Sequence, residues 1–199
     1  MMKSNVCRIN KGTKDLDAIL IESEKVAVYN ELSHKQTLQL RLICEEIDGM
    51  LPKIIDDFDG DFWIEFEKGV CKVIASIKFA EFSIEKKEEL IKIAKNSKNA
   101  AAVGITGKIR SFVEDMLLDD VNIPSYSIYS ESMCIATSFG EDMNYPYMWT
   151  LENYKNNTKK EKEEAWDELE KSVIASVADD IVVGVKGKRA DIIITKKFA

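Results

Sequence analysis

The sequence predicts an α/β domain of the α+β type: a two-layer sandwich whose mixed, mainly antiparallel sheet carries helices on one face. Three observations predict it. Residues 61–79 alternate apolar and polar side chains with a period of two around Lys68-Gly69, and residues 181–194 do so around Gly187-Lys188. Each pattern is a β-hairpin, so the sheet has at least four strands. Before and between the hairpins the apolar residues recur every 3.6 positions, the period of helices with one buried face.

The elements follow in order. Residues 13–31 place Leu16, Ile19, Leu20 and Val26 at mostly helical spacing, with Thr13 as N-cap. Ser33-His34-Lys35-Gln36 is a capping box, and Leu40, Ile43, Ile47, Met50, Leu51 and Ile54 form one apolar face after it. Glu45, Glu46 and Asp48 stand at the polar margin of that face. Pro52 should bend or end the helix about one turn further back, because its ring excludes the carbonyl four residues before it. In the first hairpin Phe62, Ile64 and Phe66 alternate with Asp61, Trp63 and Glu65, and Cys71, Val73, Ala75, Ile77 and Phe79 form the second strand.

A charged helix is expected at about 83–97, then a loop, then a helix that repeats Ile105, Ile109, Phe112, Val113, Met116 and Leu117. Residues 119–157 show little periodicity, and IYSESMCIATSF reads as one or two irregular strands at best. Thr158-Lys159-Lys160-Glu161 is a second capping box, expected to open a helix presenting Trp166, Leu169, Val173 and Val177. The last hairpin alternates Ile181, Val183 and Val185, turns, and continues through Ala190, Ile192 and Ile194. Residues 1–199 read as a single domain with an irregular segment at about 119–160.

Composition narrows the function. The chain has 45% apolar and 32% charged residues over 199 positions, enough for one sizeable core. It lacks an apolar run of membrane-spanning length and a signal-peptide pattern, so a cytoplasmic location and no membrane partner are expected. A net charge of −7 argues against general nucleic-acid binding. Cys7, Cys44, Cys71 and Cys134 are scattered without a CxxC pair, which fits small buried thiols rather than a metal site. His34 is the only histidine, so neither a His-centred triad nor a multi-histidine metal site can be assembled.

Two local motifs invite chemistry. Gly104-Ile105-Thr106-Gly107-Lys108 suggests a phosphate loop, but Ala102 and Ile109 stand where a P-loop needs glycine and a hydroxyl. What remains is a pair of glycines and the start of a helix, with Lys108 and Arg110 adding positive charge for an anion. The alternative is a plain connection between helices. In the acidic run Asp56–Asp61, three aspartates have the spacing of calcium ligands, but the glycine falls one place early and Lys68 replaces the bidentate glutamate. A solvated turn is the simpler reading. The Asn156-Asn157-Thr158 sequon gives way to Thr158 as a helix cap. Trp149 and Tyr145, Tyr147 and Tyr154 are expected mainly to pack over the sheet.

A helix with a glutamate pair, a hairpin, a glycine-bearing loop entering a helix, and a final helix and hairpin together resemble the histidine-kinase-like (GHKL) ATPases. The likeness covers about residues 33–118 and 161–197 and is nearest the bacterial anti-sigma-factor serine kinases. It implies the ATPase fold, ATP with Mg²⁺ as cofactor, and serine/threonine kinase activity. Glu46, less favourably Glu45, takes the place of the general base. Asn99, Gly104, Gly107 and Lys108 take that of the nucleotide-binding segment. The family's Mg²⁺-holding asparagine falls at Met50, or at Gly49 in the other register, and Phe79-Ala80-Glu81-Phe82-Ser83-Ile84 replaces its adenine-reading D-x-G-x-G. A degenerate, non-catalytic member that binds a regulatory protein is therefore the alternative function. The resemblance also allows a homodimer.

Overall fold

The computed structural model describes residues 1–12, 16–55, 57–79, 104–119, 133–135, 145, 147–161 and 172–198. Among these the chain forms, in order, β1 (Met2–Lys3), β2 (Cys7–Asn10), α1 (Leu16–Tyr29), α2 (His34–Ile54), β3 (Phe58–Glu67), β4 (Val70–Phe79), α3 (Gly104–Asp119), β5 (Met133–Ile135), β6 (Tyr147–Thr150), α4 (Leu151–Glu161), α5 (Val173–Val177), β7 (Asp180–Lys186) and β8 (Arg189–Lys197).

Both hairpins form where the period of two places them. Lys68 and Gly69 both have positive φ, 50° and 79°, the backbone of a type I′ turn whose twist matches the strands it joins. In the second turn only Gly187 has positive φ, at 57°. The two hairpins meet through β4 and β8, giving the order β1-β3-β4-β8-β7-β6-β5, with β2 also on β3. The expected mixed, mainly antiparallel sheet is thus antiparallel at every described pairing.

One sheet face carries Phe62, Ile64, Val73, Ile77, Ile192, Ile194, Ile181, Val183 and Trp149, all buried in the main core with residues of α1, α2 and α3. Leu40, Ile43 and Ile47 on α2 are at most 1% exposed, and burying each contributes about 1.5–3 kcal/mol. The Trp149 and Tyr154 rings meet at 5.9 Å, tilted by 36°, within this core, and Tyr145 lies against Gly184, so these three aromatic residues serve packing. The other face is not wholly polar. Trp63, Ile74, Ile193 and Val182 face one another across four adjacent strands and form a second apolar cluster with Met148 and Tyr145.

Several expectations change. β1, β2 and β6 were not anticipated. Ser33 caps α2 with the full reciprocal box, but α2 continues through Pro52 to Ile54. Leu51, Ile54 and Ile55 are all buried, and the Ile55 amide bonds to the Leu51 carbonyl, so packing holds the last turn despite the proline. Thr158 does not open a helix. α4 already starts at Leu151, where Thr150 accepts the Asn153 amide at 3.2 Å and Asp180 the Glu152 amide at 3.3 Å. Val173 and Val177 belong to a separate short helix capped by Ser172, and its buried residues are Ile174 and Ala175. Thr13, the 83–97 helix, Trp166 and Leu169 lie outside the described residues.

Candidate functional site

Helix α2 carries the proposed catalytic pair, and its 3.6-residue repeat sets neighbouring residues about 100° apart. Glu45 and Glu46 therefore leave the helix in different directions. Glu45 Oε1 accepts from Arg41 Nε at 3.0 Å, and Arg41 Nη1 reaches Glu24 Oε1 of α1 at 3.3 Å. Glu45 is thereby tied to the α1 side. Glu46 lies on the flank away from α1, half-buried, and among the described residues its side chain has no hydrogen bond or ion pair.

One turn beyond Glu46, Met50 is 3% exposed and part of the main core. The position that the resemblance assigns to the Mg²⁺ ligand therefore faces the sheet and offers a thioether, whereas Mg²⁺ requires oxygen ligands. In the other register Gly49 is exposed and has no side chain. These residues do not fit a bound magnesium ion. Among the described residues no group of three or more His, Cys, Asp or Glu is placed to hold a metal.

Helix α3 packs against α2, and Arg110 Nη1 donates to the Lys53 carbonyl at 3.5 Å. The structure thus brings the glutamate helix and the glycine-bearing helix together. Gly104 enters α3 with φ of 73°, a conformation that favours glycine. Gly107 is not the residue before the helix. It lies in the first turn. Lys108 follows it, half-buried, while Arg110 is drawn to Glu114 at 2.7 Å. Asn99 lies outside the described residues, as does Glu81.

From Phe58 onward the acidic run is strand rather than the solvated turn expected. Asp59 and Asp61 are on β3, and both engage Arg8 of β2. Cys7, Cys44 and Cys71 are buried free thiols, as their scatter implies. Burial pushes the Cys71 thiol up to about 12, and burial followed by the neighbouring Cys71 and Glu45 raises Cys44 well above its ordinary value. Neither can serve as a nucleophile near neutral pH. His34 is the exposed first residue of α2.

Sequence reasoning missed a surface feature on α1. Its inner face buries Ile19, Leu20, Ser23, Val26 and Ala27, yet Ile21, Val28 and Tyr29 are 52%, 80% and 73% exposed. With Glu24 and Lys25 they line one open, shallow groove. The spacing i, i+7, i+8 was legible, but it lay hidden behind the stronger inward pattern.

Among the described residues no helix is long and apolar enough to cross a membrane. No protein-family model, curated protein or solved structure matches this chain.

Proposed function

We propose that the chain is a non-catalytic relative of the histidine-kinase-like ATPases, nearest the anti-sigma-factor type, which acts by binding a regulatory protein. The observation that carries this reading is Met50: the position four residues after Glu46 is sealed in the core at 3% exposure. A general base without its metal can still accept a proton, but phosphoryl transfer from ATP depends on the ion that neutralises charge on the transferred group. The paired helices α2 and α3 then serve as scaffold.

A second reading, a divergent ATP-binding protein with serine/threonine kinase activity, is favoured by Glu46 itself. A half-buried carboxylate without a partner, on a helix packed beside the first turn of α3, is an arrangement suited to a base near an anion. The two readings differ over nucleotide. Melting in the presence of ATP or ADP, with and without Mg²⁺, separates them: the first expects no shift and the second a saturable rise.

A further inference from the structure

We propose that the outward stripe of α1 is a homodimer interface in which two copies of this helix pair antiparallel about a two-fold axis between Glu24 and Lys25. The inference goes beyond the functional reading above and does not depend on it.

Ile21, Glu24, Lys25 and Val28 follow one another at i, i+3, i+4 and i+7, so they form a single stripe along the helix. The stripe is self-complementary. In the antiparallel arrangement Ile21 meets the partner's Val28, and Glu24 meets the partner's Lys25; the two-fold axis repeats both contacts. A parallel arrangement would set Glu24 against the partner's Glu24 and Lys25 against the partner's Lys25. Charge therefore selects the antiparallel orientation, and an isologous contact requires this matching of one patch with itself.

The neighbouring helix widens the patch. α1 and α2 are joined by residues 30–33 and run antiparallel, with Arg41 reaching Glu24. One turn towards the connection, that register sets Leu38 beside Val28, and Leu38 is 51% exposed. Tyr29 extends the patch at the end of the stripe. Glu24 and Lys25 are each 57% exposed, so both have room for a further partner besides Arg41 and Glu22. From Ile21 to Val28 the stripe runs only about 10 Å along the helix axis. A contact of this length belongs with small, weak interfaces, and association is expected at high micromolar concentrations.

Cysteine cross-linking of the full chain tests both the contact and its direction. Ile21→Cys and Val28→Cys are introduced separately in a Cys134→Ser background; Cys7, Cys44 and Cys71 are buried. On oxidation at about 200 µM, within the weak-interface range, the mixture of the two variants should give a cross-linked dimer several-fold more abundant than either variant alone. Equal yields in all three samples, a preference for either variant alone, or no dimer above the Cys134→Ser background would each overturn the proposal. In sedimentation equilibrium, Val28→Asp should abolish the rise in average mass with concentration without lowering Tm. A wild-type chain that stays monomeric throughout, or a Val28→Asp variant that still associates, contradicts it.

Discussion

Arg8 on β2 grips Asp59 on β3 with two donors: Nε reaches Oδ1 at 2.9 Å and Nη2 reaches Oδ2, while Nη1 reaches Asp61 at 3.3 Å. Two of the three side chains with calcium-ligand spacing, Asp59 and Asp61, therefore already face a cation, the guanidinium on the adjacent strand. Calcium at about 5 mM is expected to leave Tm unchanged, since an ion bound only by the folded state would raise it. A saturable rise in Tm would show that the ion displaces Arg8.

Glu22 is a buried carboxylate tuned the other way from most. Burial pushes its pKa up, but hydrogen bonds from Lys25 at 2.6 Å and from the amide and side chain of Asn5 at 3.0 and 3.1 Å hold it below the ordinary 4.5. Its stabilising contribution is complete above pH 4.5 and is lost as pH falls through the folded value. Glu22→Gln should cost about 2 kcal/mol near pH 7, roughly 4–8 °C in Tm, because the buried side chain loses its charge-assisted hydrogen bonds from Lys25 and Asn5. The difference from wild type should shrink on acidification.

Asp191 gives the opposite dependence. It is 6% exposed, and burial raises its pKa above the ordinary 3.8 against the lowering effect of Ser76. Arg189 donates to it at 3.0 Å from a half-exposed position, where solvent weakens the pair. Stability linked to this group is present below pH 3.8 and is lost as pH rises through the folded value. Asp191→Asn should therefore be stabilising at pH 7 and without effect in acid. Urea unfolding at several pH values measures this, and a destabilised Asn variant at neutral pH would refute it.

Two glycines differ by their surroundings. A Cβ at Gly60 would lie 2.3 Å from the Ser76 carbonyl oxygen and 2.9 Å from Ile77 Cα, both backbone atoms of the paired strand. Gly60→Ala should cost about 3 kcal/mol. A Cβ at Gly49 on α2 would meet nothing within 4 Å, so Gly49→Ala should stabilise by about 0.5–1 kcal/mol through helix propensity. Thermal unfolding of the two variants reads both signs.

The central sheet and α2 were legible because each carried two agreeing signals: alternation with a Lys-Gly or Gly-Lys turn, and a 3.6-residue repeat with a capping box. β2 was not, since Cys7 and Ile9 alternate over only four residues, too few to stand out, and its identity comes from pairing with β3. Thr158 misled because a capping box is a local pattern, while α4 starts earlier, where Thr150 caps it locally and Asp180 of β7 adds a contact that depends on the sheet. The candidate site was legible as an order of motifs. The helix faces were harder to read: Arg41 stands four residues before Glu45 and pairs with it along α2, but that this flank meets Glu24 of α1, and that Glu46 does not, depends on tertiary packing.

The most direct test of the functional account is melting of the full chain with ATP and ADP at about 5 mM, each with and without Mg²⁺, compared with Gly107→Glu. The account predicts no rise in Tm for any nucleotide and no difference between the two proteins in their response. A rise of several degrees that saturates with nucleotide and is lost in Gly107→Glu would contradict it and establish nucleotide binding at the start of α3.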